Sequence, residues 1–181
     1  MDSEAAEIAR AQAGDREAYR TLVERHSRGV HRLAWRMTGN QQDAEDVVQE
    51  AFFRAWKQIK RFDGRSSFAT WVFRIASNYS LDLIRSRRPA ESSEAAQWVA
   101  AGEPGPDRLA FSGQVGNRVA SAMEELSAQE RTAFVLRHFE GMSIEQIGAV
   151  LELAPSATKN SIFRAVQKLR RALEPMVSSA R

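Results

Sequence analysis

An acidic segment, a basic turn bearing glycine and serine, and an aromatic segment ending in arginines follow one another between Asp43 and Arg88: DAEDVVQEAFFRAWKQIKRFDGRSSFATWVFRIASNYSLDLIRSRR. The hydrophobic spacing of this stretch limits the fold more than any other. Ala44, Val47, Val48, Ala51, Phe52, Ala55, Trp56 and Ile59 recur at i, i+3, i+4, i+7, the pattern of a helix burying one stripe. A second row, Asp46, Gln49, Glu50 and Phe53, has the same spacing on another face. A polar surface with one stray aromatic would look like this, since single exposed apolar residues are common. So would a docking face for a basic partner surface, with Phe53 as the apolar anchor. Asp43, Glu45, Asp46 and Glu50 also suit a helix N-terminus, so their charge alone does not demand a partner.

The second half of the stretch reverses sign. Nine arginines and lysines stand against two aspartates between Arg54 and Arg88, a density that marks a polyanion site. Phe62-Asp63-Gly64-Arg65-Ser66-Ser67 reads as a loop, with Gly64 free to take positive φ and Ser66 or Ser67 capping the helix that follows. On that helix Phe68, Val72, Ile75, Ala76, Tyr79 and Leu83 read as core, and Trp71, Arg74, Asn78 and Arg85 share the other face. A tryptophan beside arginines and an asparagine offers stacking, phosphate contacts and base-edge hydrogen bonds, a combination suited to single-stranded nucleic acid. The plainer alternative is a core tryptophan with solvated arginines.

Before this stretch, residues 3–13 read as a helix, Gly14-Asp15 as a break and new cap, and Arg16 to Thr38 as a second helix closed by Gly39-Asn40. Its core positions are Tyr19, Leu22, Val23, His26, Val30, Leu33, Ala34 and Met37. His26 and His31 have no Cys, Asp or Glu at ligand spacing and read as packing or surface residues rather than metal ligands. After it, Pro89 to about Gly116 is rich in Glu, Ser, Gly and Pro and loses all periodicity, as a flexible linker does. Trp98, Val99, Leu109 and Phe111 within it read as docking points.

Val119, Met123 and Leu126 open a further helix. Ser127-Ala128-Gln129-Glu130 and Ser143-Ile144-Glu145-Gln146 are capping boxes for two more, the first with Thr132, Val135 and Phe139 inward and stopped by Gly141, the second carrying Ile147, Val150 and Leu151. Glu152-Leu153-Ala154 turns the chain, and Pro155 starts a last helix where proline is favoured. A short helix, a three-residue turn and a longer basic helix make a helix-turn-helix. Thr158, Ile162, Ala165, Val166, Leu169 and Leu173 would face inward. Ser156, Lys159, Asn160, Phe163, Arg164, Gln167 and Arg171 remain outward or flanking. Such helices present their N-terminal residues to the major groove. Ser156, Lys159 and Asn160 are therefore candidates for base contacts, and Arg164 and Arg171 for phosphates.

The chain thus reads as all-α: two small helical domains, 1–88 and 117–181, joined by a linker, 89–116, with the helix-turn-helix in the second. With 181 residues neither core can be large. No cysteine is present, which excludes disulfides and thiolate metal sites. No apolar run approaches the roughly 20 residues of a membrane helix, and the start, MDSEAAEIAR, lacks an apolar signal core, so cytoplasmic residence is expected. No Ser/His/Asp set, metal cluster or phosphate-cradling glycine loop points to an enzyme, and no cofactor is implied.

DAEDVVQEAFFRAW followed by RFDGRSSFATWVFRIASNYSLDLIR resembles the second conserved domain of bacterial sigma factors, most closely the extracytoplasmic-function (ECF) group. The last helix resembles the C-terminal domain of the same family: Ala157 to Val166 aligns with a T-V-K-S-R-L-x-R-A-R run. Lys159 and Arg164 match, Ser161 and Val166 stand where arginines are usual, and Ala154 takes a frequent capping-serine position. The resemblance implies that Asp43, Asp46, Gln49, Glu50, Phe53 and Trp56 dock on the beta-prime clamp helices of core RNA polymerase. It implies that Arg61, Phe62, Asp63, Ser67, Phe68, Trp71, Arg74, Asn78 and Arg85 hold the melted minus-ten strand. Ser156, Lys159, Asn160, Phe163, Arg164 and Arg171 would read the minus-thirty-five duplex. It further implies contact with the polymerase beta flap, a linker threading near the polymerase active site and RNA-exit path, and an inhibitory anti-sigma protein as a partner. A helix-turn-helix regulator acting without polymerase is the alternative, and it would leave Asp46, Glu50 and Phe53 without a task.

Overall fold

The computed structural model describes residues 4–86, 118–119 and 121–178, with side chains through Glu174, and no strand occurs among them. By spatial proximity the chain divides into two units, Met1–Ile84 and Arg85–Arg181. Trp98, Val99, Leu109 and Phe111 lie outside the described residues.

The first unit begins with α1 (Glu4–Gln12) and α2 (Arg16–Thr38). Asp15 caps α2 by accepting from the Glu17 and Ala18 amides at 3.0 and 3.1 Å. The Ala18 amide, followed by the Arg10 guanidinium, holds its carboxyl below the usual aspartate range. Gly39 ends α2 at φ 76°, a left-handed conformation that glycine adopts without strain, and Asn40 caps α3 (Gln41–Gln58). A single 3-10 turn, Ile59–Arg61, follows; Gly64 turns the next loop at φ 72°, and α4 runs Phe68–Ser86. Leu22, Val30, Leu33, Ala34 and Met37 of α2 meet Ala44, Val47, Ala51, Phe52 and Ala55 of α3 in the core. Burying a side chain of leucine or phenylalanine size contributes about 1.5–3 kcal/mol.

Two details of α4 differ from the sequence reading. Phe73, Ser77 and Ser80 are buried with Phe68, Val72 and Ala76, while Ile75, Tyr79 and Leu83 are only half-buried. A count of apolar residues passes over small polar side chains that can be buried: Ser80 donates to the Ala76 carbonyl at 2.8 Å, whereas the buried Ser77 hydroxyl has no hydrogen-bond partner among the described residues.

In the second unit, residues 121–124 are helical and lead to α5 (Ala128–His138), α6 (Ile144–Leu151) and α7 (Pro155–Ser178). Both capping boxes form, on Ser127 with Glu130 and on Ser143 with Gln146. Val135, Leu136, Ile147, Val150, Thr158, Ala165 and Leu169 make the core. Phe139, expected inward, is 44 % exposed. The helix has ended at His138, and the Met142 amide returns to the Leu136 carbonyl at 3.0 Å, which swings Phe139 out and leaves Leu136 fully buried.

Candidate functional site

Three surfaces carry the candidate residues. On α3, Asp46, Gln49 and Phe53 are exposed in one row, and Phe53 is 51 % exposed. Glu50 beside them is half-buried and pairs with Arg54, Nε to Oε1 at 2.6 Å. The Lys57 ammonium sits 4.0 Å from the centre of the Phe53 ring. Asp43 is held by the Asn40 amide at 2.8 Å, so the helix cap already occupies it. Trp56 lies half-buried, its ring 4.8 Å from that of Tyr19, whose hydroxyl donates to the Phe52 carbonyl at 2.5 Å. Burial pushes that hydroxyl well above the usual tyrosine range. Arg16, Tyr19, Phe52, Phe53 and Trp56 line an open groove of about 330 Å³ beside the acidic row. The sequence missed the part played by Arg16 and Tyr19, which come from another helix, and the partial neutralisation of Glu50 by Arg54.

The second surface is built around three rings. Phe62 stands 5.0 Å from Trp71 and 5.9 Å from Phe68, and Phe68 lies 5.8 Å from Trp71. Phe68 is only 1 % exposed, so it has no surface to offer a base; it is the floor on which Phe62 and Trp71, both half-buried, are set. Its place among the nucleic-acid contacts is corrected accordingly. Asp63 closes the loop by accepting from the Arg65 amide at 3.1 Å, and its carboxylate pairs with the Arg65 side chain at 3.0 Å. Ser67 caps α4, its hydroxyl accepting from the Thr70 amide at 3.1 Å. Arg61, Arg74, Asn78 and Arg85 are exposed along the same loop and helix. Arg54, counted by sequence among these cations, instead lies over the Tyr79 ring at 4.9 Å and pairs with Glu50.

The third surface is the helix-turn-helix. Glu152 turns the chain in the left-handed region at φ 57°, and the Leu153 amide returns to the Gly148 carbonyl at 2.9 Å. Ser156, Lys159, Asn160, Phe163, Arg164 and Arg171 are all exposed on α7, Phe163 at 63 %. Ser161 is buried: its hydroxyl donates to the Ala157 carbonyl at 3.0 Å and accepts from Gln129 at 2.8 Å. Lys168 turns back to Glu130 at 2.7 Å, so it ties α7 to α5 rather than facing outward. Among the described residues no group of His, Asp and Glu could hold a metal, and no helix is long and apolar enough to cross a membrane.

Residues 22–90 match the family described as Sigma-70 region 2, and residues 116–169 match Sigma-70, region 4. The chain is 32% identical over 183 residues to the RNA polymerase sigma-H factor of Pseudomonas aeruginosa, covering 96% of this chain and 95% of that one. This chain belongs to the ECF sigma factors of bacterial RNA polymerase. The ECF RNA polymerase sigma factor SigW of Bacillus subtilis is 31% identical over 93% of this sigma factor and 96% of its own length. Among solved structures, CnrH in complex with the cytosolic domain of CnrY superposes with a TM-score of 0.72 at 32% identity, covering 93% and 96% of the two chains. RpoE of Bartonella quintana, in complex with the anti-sigma factor NepR, shares the fold at a TM-score of 0.68 and 22% identity. The region 2 match takes in every candidate on the first two surfaces, whereas the region 4 match stops before Arg171.

Proposed function

We propose that this sigma factor binds core RNA polymerase and directs promoter-specific initiation, with its two ends touching different parts of the promoter. The functional domains are 1–88 and 117–181, joined by 89–116. Asp46, Gln49, Glu50 and Phe53, with Trp56 and the capped Asp43 behind them, form the polymerase-docking ridge, and the aromatic groove at its side receives apolar side chains of the partner. Clamp helices of the beta-prime subunit suit that ridge. The beta flap is assigned to the second domain.

On the second surface the bases of the minus-ten strand stack against Trp71 and Phe62, supported by buried Phe68. Arg61, Arg74 and Arg85 hold phosphates, and Asp63, Ser67 and Asn78 supply hydrogen bonds to base edges. In the second domain Ser156, Lys159, Asn160 and Phe163 face base edges of the minus-thirty-five duplex, with Arg164 and Arg171 on phosphates.

Magnitudes make the polymerase a requirement of this reading. Opening roughly ten base-pair steps costs on the order of 14 kcal/mol at about 1.4 per step. Stacking a flipped base on an aromatic returns only about 1–3 kcal/mol. The rings of this chain can trap a strand that the larger machine opens. They cannot open it alone, and the chemistry of RNA synthesis stays with the polymerase.

The observation that carries the reading is an exposed row of Asp46, Gln49 and a half-exposed Phe53, flanked by half-buried Glu50, on the helix next to a cation-rich aromatic loop, within one region 2 match. A free-standing helix-turn-helix regulator would use only the third surface. Purified core with this chain should give discrete transcripts from a genomic promoter library; no specific transcript from any promoter would sink the assignment. Pairing with an anti-sigma protein, as in the Bartonella quintana complex, and action in the cytoplasm on nucleoid DNA complete the proposal.

A further inference from the structure

Gln12 is the last residue of α1 and lies outside the stretch that matches region 2. Its side-chain amide nitrogen donates to the Phe62 carbonyl at 2.8 Å and to the Ile59 carbonyl at 3.1 Å. Both partners are carbonyl oxygens, so only the NH₂ end of the side chain can face them. The two carbonyls lie at the two ends of the 3-10 turn that follows α3: the Ile59 carbonyl also accepts from the Phe62 amide at 3.1 Å, so Gln12 adds a second donor there and bridges to the Phe62 carbonyl. From this turn the chain enters the loop of Arg61, Phe62 and Asp63.

The base from which Gln12 reaches is itself fixed. The Ala13, Gly14 and Asp15 amides bond back to α1 carbonyls at 3.0–3.1 Å, and Arg10 pairs with Asp15 at 2.6 Å. A second tie runs from the other end of α1: Glu4 lies 3.0 Å from the His26 ring nitrogen, and the His26 ring packs 5.5 Å from Phe68. One helix with no nucleic-acid candidate of its own therefore braces the three-ring platform at both edges.

We infer that Gln12 is a positioning residue for minus-ten recognition: its two hydrogen bonds set the turn at Ile59–Phe62 and thereby the placement of Phe62 against Trp71. The inference rests on the function proposed above and adds to it a residue that touches no DNA. A loop free to move would offer the same side chains with poorer discrimination between bases.

The test uses the full chain, free and with core polymerase. Gln12→Glu keeps the length and shape but points a carboxylate at two carbonyls, and Gln12→Lys restores a donor. In the free Gln12→Glu chain, which loses two hydrogen bonds, amide exchange across residues 60–66 should rise by at least about fivefold, the factor that one net hydrogen bond is worth. With core, the ratio of transcription from a matched promoter to promoters with single minus-ten substitutions should fall by about the same factor. Binding of the minus-thirty-five duplex should not change, and Gln12→Lys should recover both losses in part. Gln12→Ala gives the same readings should the carboxylate unfold the chain. Unchanged exchange overturns the inference, as does faster exchange with base discrimination intact, or a lysine variant as impaired as the glutamate one. Absence of any promoter-specific transcript with the unaltered chain would bring down the proposed function and this inference together, and the exchange result would show whether the brace itself exists.

Discussion

A single methyl group at Gly148 should destabilise the second domain, against the ordinary trend for glycine in a helix. Gly148 lies inside α6, where replacement by alanine normally gains about 0.5–1 kcal/mol from the backbone. Here a Cβ would stand 2.8 Å from the Leu153 carbonyl oxygen and 3.3 Å from the Thr158 hydroxyl. The first distance falls roughly 0.5 Å or more short of ordinary contact. Neither neighbour can simply rotate away. The Leu153 amide is bonded to the Gly148 carbonyl at 2.9 Å, and the Thr158 hydroxyl donates to the Ala154 carbonyl at 3.1 Å. The turn must open, and overpacking of this kind costs about 1–3 kcal/mol. After the propensity gain is subtracted, Gly148→Ala should lose on the order of 1 kcal/mol, at most about 2.5. For a domain of this size each kcal/mol lowers the melting temperature by about 4–8 °C. Calorimetry of the full chain would read the shift, and duplex binding would weaken as α7 moves relative to α6. An unchanged or raised melting temperature would show that the close approach of α6 to the turn is not the constraint argued here.

Reversing Asp46 and Glu50 together to lysine should abolish binding to core polymerase while leaving duplex binding intact; retained binding in a pull-down with core would remove α3 as the docking ridge. Trp71→Ala should reduce open-complex formation by about 1–3 kcal/mol, the worth of one stacked base, and leave duplex affinity unchanged; equal losses in permanganate footprinting and gel-shift assays would count against a melting role. Burial alone would raise the Glu130 carboxyl, but the Lys168 ammonium and the Ser127 amide outweigh it and hold it below the ordinary 4.5. A depressed folded-state value contributes stability that is present above pH 4.5 and is lost as the pH falls through that lower value. Acid unfolding of the second domain should therefore be flattened in Glu130→Gln, and an identical pH profile would discount the Glu130–Lys168 tie.

Much of the fold was legible because its punctuation is local. Asp15, Ser67, Ser127 and Ser143 each accept amides two or three residues away, and Gly39 and Gly64 take positive φ within their own turns. Such interactions need no partner from elsewhere in the chain, so residue order alone predicts them. The exposed faces were legible for a related reason: Phe53 and Phe163 lie off their helices' apolar stripes, and both are exposed. The misreadings have a common source. Phe139 follows the helical period of α5 but lies past its end, and Phe68, core by its spacing and a strand contact only by the family resemblance, opens α4 as the buried floor beneath Phe62 and Trp71. Arg54 belongs to the cation-rich stretch by sequence, but Glu50 one turn earlier on the same helix claims it.

The sequence by itself determined the helices, their caps, the helix-turn-helix and the family, because each is written in short spacings or in ordered motifs. Only the tertiary structure decided which side chains of those helices are free to meet a partner. It buried Ser161 under Gln129, set Phe62 and Trp71 over Phe68, and brought Gln12 to carbonyls 47 and 50 residues away. The physical reason is range: a cap is closed by the next turn of its own chain, whereas a platform for bases is assembled from segments that no periodicity connects.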